Sequence, residues 1–266
     1  MKNFGFMQGR LVPDEQNKIQ SFPWQNWKKE FRLAKKLSLN IMEWTIDYEK
    51  FLKNPINNVE GRKIIKKLSK KNNIKINSIT CDFFMQFPYF IHKNNQTLKK
   101  LKILIDNSSK LKIKFLVLPL VDNGSIQNRY YEKKFIEQTI KLKNILKKKN
   151  MSVIFESDYN PKKLNKFIKK FPKNVFGINY DIGNSTGSKI NIHDEFIYFE
   201  RVLNIHLKDK KHNISVDLGK GSAQFKELFK FCKKINYKGN FIFQTARNKN
   251  NLGIMKKNMK FIQKFI

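Results

Sequence analysis

Short apolar runs alternate with longer amphipathic segments along the whole chain, and eight such pairs fit into 266 residues. The runs fall at 4–8, 41–45, 74–80, 115–119, 152–156, 175–181, 202–207 and 241–244. Helical spacing of apolar residues is read at about 25–38, 57–72, 95–112, 130–149, 161–170, 194–200, 223–235 and 251–265. In the segment 130–149, Phe135, Ile136, Ile140, Leu142, Ile145 and Leu146 gather on one side with lysines opposite. Runs such as Phe115-Leu116-Val117-Leu118 are apolar throughout, as strands are when both faces of a parallel sheet are covered. Eight strand-then-helix units predict a closed α/β barrel, a single (β/α)8 TIM barrel forming one domain over 1–266. A doubly wound open sheet is the second choice. It is weaker because no GxGxxG follows the first run and no P-loop occurs.

Composition narrows the setting. A hydrophobic fraction of 40% with 13% aromatic residues suits a packed core. No stretch approaches the roughly 18 apolar residues that span a bilayer. The opening MKNFGFMQGR lacks the apolar centre of a signal peptide. Cys81 and Cys232 lie far apart without CxxC spacing, so a reducing compartment is expected rather than a disulfide framework. The expectation is a soluble, cytoplasmic protein without a membrane partner.

The net charge of +34 raises the question of nucleic acid. Most of the basic residues are lysines, dispersed among abundant Asn and Ile as an AT-rich coding sequence would give. Lys66-Lys67, Lys70-Lys71 and Lys147-Lys148-Lys149 fall late in expected helices, where cations suit the helix dipole. No arginine-rich arm appears. A solvated basic surface and no nucleic-acid partner are expected, with the charge drawing anionic metabolites such as sugar phosphates.

Catalytic groups of such barrels stand at the carboxyl ends of strands. The fifth run ends on Glu156, with Asp158 close behind, and the sixth ends on Asp181. The seventh carries His206 with Lys208 and Asp209 beyond it, and the eighth ends on Gln244 and continues to Arg247. Singly, such residues are often helix caps or satisfied core groups. Together they recur at one height on four neighbouring strands. Two carboxylates in a water-poor mouth are costly unless a cation compensates them. A Glu, Asp, His and Gln set suits Mn²⁺, Mg²⁺ or Co²⁺, with Zn²⁺ as a further candidate.

At these residues the chain resembles the xylose isomerase-like superfamily, in particular the sugar phosphate isomerase/epimerase group. The resemblance runs through GFMQGRL, Met42-Glu43-Trp44, SITCDFF, FESD, INYDIGNS, NIHLKDK, VDLGKGSAQF and FQTAR. It implies one divalent metal held by Glu156, Asp181 and His206, with Gln244 standing where the family usually has a second Glu. In the related ketose 3-epimerases two glutamates serve as bases on opposite faces of the substrate. Gln keeps a coordinating oxygen but cannot accept a proton at neutral pH. The implied activity is isomerisation or epimerisation of a sugar or sugar phosphate through an enediolate, with Glu156 as base and Lys208 or Asp209 as partner. The resemblance also allows a homodimer.

Candidates for binding the substrate or its anionic end are Gln8, Arg10, Arg247 and the loop around Lys220, whose amides precede the helix at about 223–235. Trp24 and Trp44 are candidates for stacking or for packing. His92, His193 and His212 are expected at the surface. Three alternatives stay open: a keto-sugar or keto-inositol dehydratase, a metal-dependent endonuclease, and a barrel that binds sugar without transforming it. The endonuclease would need more strand-end histidines than His206 alone.

Overall fold

The computed structural model describes residues 3–13, 20–91, 96–187, 190–247 and 250–266. Eight parallel strands close into one barrel. They are β1 (Phe4–Met7), β2 (Ile41–Thr45), β3 (Lys75–Thr80), β4 (Phe115–Leu120), β5 (Ser152–Ser157), β6 (Phe176–Asp181), β7 (Val202–Leu207) and, after a hairpin, β10 (Asn240–Phe243). Closure is direct: Phe4 pairs with Phe241 and Phe6 with Phe243, while Gly5 to Met7 pair with Ile41 to Glu43. The hairpin, β8 (Asp209–Lys211) and β9 (Ile214–Val216), was not anticipated and is antiparallel.

Side-chain alternation divides each strand between two environments. Phe155, Tyr180, Ile205 and Leu207 face outward into the layer between barrel and helices and belong to the main core. There Phe155 packs against Phe135, Phe167, Phe171 and Phe176. The alternate positions face inward. A small apolar cluster of Met7, Ile41 and Ile242 lies apart from that core. Beside it, Glu43, Ser78, Asn179, Asn204 and His206 are buried polar groups. The strand ends therefore carry polarity into the barrel while their neighbours hold it shut.

The expected helix over 130–149 is two pieces, Arg129–Ile140 and Lys143–Lys149. Between them Leu142 N–H donates to Thr139 C=O at 3.0 Å, an i→i−3 bond that tightens the turn. Phe135, Leu142 and Leu146 stay buried on the barrel side. The segment expected as a helix at 194–200 is a four-residue helix, Ile192–Glu195, running into a 3₁₀ stretch, Phe196–Arg201. Lys66, Lys67, Lys70, Lys71, Lys147 and Lys148 are all exposed on outer helix faces. Among the described residues no helix is long and apolar enough to cross a membrane.

Candidate metal centre

Inward-facing ends of β5, β6 and β7 bring Glu156, Asp181 and His206 together. One potential ligand atom from each lies within 4.8 Å of the others, and all three residues are buried. Asp181 Oδ1 accepts the backbone N–H groups of Gly183 (2.8 Å) and Asn184 (3.0 Å) at the start of the next helix. Its Oδ2 is buried without a hydrogen-bond partner among the described residues, and Lys208 Nζ stands 3.6 Å away. Glu156 Oε1 accepts from Asn184 Nδ2 (2.7 Å) and Oε2 from Asn179 Nδ2 (2.9 Å).

His206 is held from both sides. Nε2 lies 2.7 Å from Glu43 Oε1 on β2, and Nδ1 lies 3.3 Å from Glu156 Oε2. Glu43 Oε2 in turn accepts from Ser78 Oγ (2.7 Å) and Asn204 Nδ2 (3.0 Å). Asn204 also donates to Asn179 Oδ1 (2.7 Å), which closes the network back to Glu156. Burial opposes charge on His206, but the Glu43 and Glu156 carboxylates outweigh it and push its pKa up to about 10. Burial likewise raises Glu156, yet the His206 hydrogen bond and charge, helped by Lys208, bring it below the ordinary carboxylate value. The imidazole proton thus balances a strongly negative pocket. A divalent cation fits here in place of the proton on Nδ1, because Nε2–H can remain on Glu43 and fix the tautomer.

The donor set passes a second test. Gln244 follows β10, its N–H bound to Leu207 C=O at 3.1 Å, and its side chain lines the cavity that Glu156 and Asp181 line. Gln244 Oε1 is buried without a hydrogen-bond partner among the described residues, as is Asp181 Oδ2. An orphaned buried oxygen on Asp181 next to a carboxylate and an imidazole nitrogen, with a second on the same cavity wall, is what a hard or borderline cation would satisfy. The cavity holds about 1380 Å³ and is walled also by Arg10, Asp82, Lys208, Lys210 and Arg247.

Other expected site residues fall differently. Lys208 reaches the cavity, but Asp209 does not. Its Oδ1 accepts the N–H groups of Lys210 (2.9 Å) and Ala223 (3.0 Å), and its Oδ2 those of Gly219 and Gly221 (both 2.9 Å). A carboxylate so occupied organises a loop and is not placed to move a proton. The same bonds revise the expectation for Lys220. The loop amides do converge on an anion, but it is the chain's own Asp209, and Lys220 is exposed outside the cavity wall. Gly219 has φ +83°, and a Cβ at Gly221 would strike the Asp209 carboxylate, so both glycines are required by this loop.

We expect Asp209→Ala to cost ~2 kcal/mol through the stranded amides, lowering the thermal midpoint by about 4–8 °C. Metal binding should be unchanged. Lost turnover at an unchanged midpoint would instead return Asp209 to the chemistry.

Gln8 is also placed away from the cavity: it is buried and its Oε1 accepts Thr45 N–H (3.1 Å), tying β1 to β2. Arg10 and Arg247 do line the cavity. Arg10 donates to Gln20 Oε1 (2.8 Å), and Arg247 to Gly9 C=O (3.0 and 3.1 Å) and Ser21 Oγ (3.0 Å). Trp44 is fully buried, with Nε1 donating to Asn54 Oδ1 (2.9 Å), and Trp24 packs edge-on against Phe22. Neither lines the cavity. His193 and His212 are exposed, and His92 lies outside the described residues. Sequence reasoning passed over Glu43 as a site residue. Its only signal was a lone carboxylate in the apolar run IMEWT.

Comparison with known proteins gives a consistent fold. A sequence model of the family described as Xylose isomerase-like TIM barrel matches residues 31–265. No curated protein sequence matches the chain significantly. The solved structure of an IolI protein with a bound zinc atom is similar with a TM-score of 0.77 and 12% identity, covering 99% of both chains. A D-allulose 3-epimerase from Methylomonas sp. is similar with a TM-score of 0.76 and 13% identity, over 99% of this chain and 98% of that one. A sugar phosphate isomerase/epimerase from Parabacteroides distasonis has a TM-score of 0.74 and 16% identity, over 98% and 93%.

Proposed function

The chain belongs to the xylose isomerase-like TIM barrel family, and from that premise we propose that it isomerises or epimerises a sugar or sugar phosphate with one divalent metal ion. The observation that carries this reading is the convergence of Glu156, Asp181 and His206, with orphaned buried oxygens on Asp181 and on Gln244, which lines the same cavity as Glu156 and Asp181. The fold shared with an allulose epimerase and a sugar phosphate isomerase/epimerase supports the class of chemistry. Glu156, Asp181, His206 Nδ1 and the Gln244 oxygen would hold the ion, with Mn²⁺, Mg²⁺ and Co²⁺ favoured by the oxygen-rich set and Zn²⁺ next. The chemistry such an ion supplies when bound is polarisation of a carbonyl and charge stabilisation beside it.

The chain's own groups do the rest. Glu156, ionised and aimed by Asn179 and Asn184, takes a proton from the carbon next to the carbonyl. The C–H electrons become the C=C bond of an enediolate, and the carbonyl pair moves to oxygen. Lys208 Nζ, beside Asp181, is placed to donate to a substrate hydroxyl or to that oxygen. Arg10 and Arg247 offer positive charge on the same wall for a hydroxyl-rich or phosphorylated end. Gln244 favours one further reading, a dehydratase that uses the same enolate and then expels hydroxide.

The test is incubation with ketoses and ketose phosphates in D₂O plus Mn²⁺, followed by NMR. Deuterium entering the carbon next to the carbonyl, with an isomer or epimer appearing, is the expected result. Loss of water in place of an isomer would select the dehydratase. No exchange on any ketose would overturn both.

A further inference from the structure

Gln244 cannot accept a proton, so an epimerisation through Glu156 lacks a donor for the opposite face of the substrate. A second carboxyl stands on the same cavity. Asp82 opens the short helix Asp82–Gln86 that follows β3, and it lines the cavity with Glu156. Thr80 pairs with Val117 and Pro119 pairs with Glu156, so two residues past Thr80 the chain reaches the height of Glu156. Two strand spacings separate β3 from β5, which sets their backbones ~10 Å apart at that height. Both residues belong to the wall of the same cavity.

The state of Asp82 points the same way. Oδ1 accepts from Thr80 Oγ1 at 3.2 Å, whereas Oδ2 is buried with no hydrogen-bond partner among the described residues. A buried carboxyl oxygen without a partner is costly, and the cost falls when it carries a proton and a substrate atom comes within reach. Burial first, and the Glu156 charge next, push the Asp82 carboxyl up to about 7; Asp47 adds to this, and the Thr80 hydrogen bond and Arg10 oppose it. A carboxyl raised by burial holds a proton more readily than an ordinary one, as a proton donor to carbon must.

We propose that Asp82 is the second acid–base residue of an epimerisation, returning a proton to the substrate carbon on the face opposite Glu156. The inference rests on the function proposed above. Glu156 forms an O–H bond as the substrate C–H bond breaks, and the enediolate forms. The Asp82 O–H bond then breaks as a new C–H bond forms on the other face, and the enediolate oxygen pair restores the C=O. Glu156 is left protonated and Asp82 ionised, and exchange with solvent resets both. No oxidant or co-reactant is needed.

The experiment uses the Mn²⁺-loaded full chain with D-fructose, D-allulose and D-tagatose in D₂O, reading deuterium wash-in and epimer formation separately. For the epimer whose C–H faces Glu156, Asp82→Asn should keep wash-in within about threefold of wild type while epimer formation falls ~10²–10⁴-fold. Glu156→Gln should lose both for that epimer and keep wash-in only for the other, whose C–H faces Asp82. Epimer formation at the wild-type rate in Asp82→Asn overturns the proposal, as does a loss of wash-in from both epimers with an unchanged thermal midpoint and metal content. If Asp82→Asn folds poorly, Asp82→Glu replaces it, and restored epimerisation at a shifted pH optimum is then expected. Wash-in that survives Glu156→Gln for both epimers removes Glu156 as a base and this proposal with it, whereas no wash-in by wild type on any ketose or ketose phosphate overturns the underlying function.

Discussion

Glu156→Gln is expected to lower turnover by ~10²–10⁴-fold on any sugar the protein processes, the range set by loss of a general base. The substitution keeps size and one coordinating oxygen, so metal should still bind, more weakly. What it removes is the acceptor for the substrate proton. It also puts an amide N–H₂ against Asn184 Nδ2 or Asn179 Nδ2, which now donate to the two carboxylate oxygens at 2.7 and 2.9 Å. Some loss of stability follows from that clash of donors, and the folded midpoint should be recorded beside turnover. Turnover near wild type would remove Glu156 from the proton transfer.

Glu43→Ala is expected to be the most damaging change that touches no cavity wall. Glu43 is fully buried and accepts from Ser78 and Asn204 while pairing with His206 at 2.7 Å. Deleting it strands two buried groups and an imidazole whose charge it balances, at a cost of about 3–5 kcal/mol. Because His206 loses the acceptor that fixes its tautomer, metal affinity should fall ~10–100-fold. Glu43→Gln keeps an acceptor oxygen and should lose less of both. Chemical denaturation and metal titration check the pair of effects. A Glu43→Ala protein with wild-type stability and metal affinity would show that the network below the site does not support it.

The barrel was legible because its signal is periodic: eight apolar runs and eight amphipathic stretches require little knowledge of distant contacts. Glu156, Asp181 and His206 were legible for the same reason, since strand ends and alternation place them together once the barrel is assumed. Glu43 was not. Its partner His206 lies 163 residues away, and a lone acid beside Trp44 in an apolar strand carries no local mark of that pairing. Asp209 misled because it follows β7 in sequence, whereas the chain turns there into the β8–β9 hairpin and buries the carboxylate against its own loop. The loop around Lys220 reads as a site for the substrate's anionic end, but its amides close on the chain's own Asp209, which the sequence could not show. Asp82 was hidden by a five-residue helix too short for any periodic signal.

The central claim is that Glu156, Asp181 and His206 hold one divalent cation. Elemental mass spectrometry of the purified protein, before and after incubation with Mn²⁺ and desalting, tests it most directly beside a Glu156→Ala, Asp181→Ala variant of verified fold. About one metal ion per chain in the wild type, lost from the variant, is the predicted result. A folded wild type that holds no metal after Mn²⁺ addition, or a variant that retains it in full, would contradict the account.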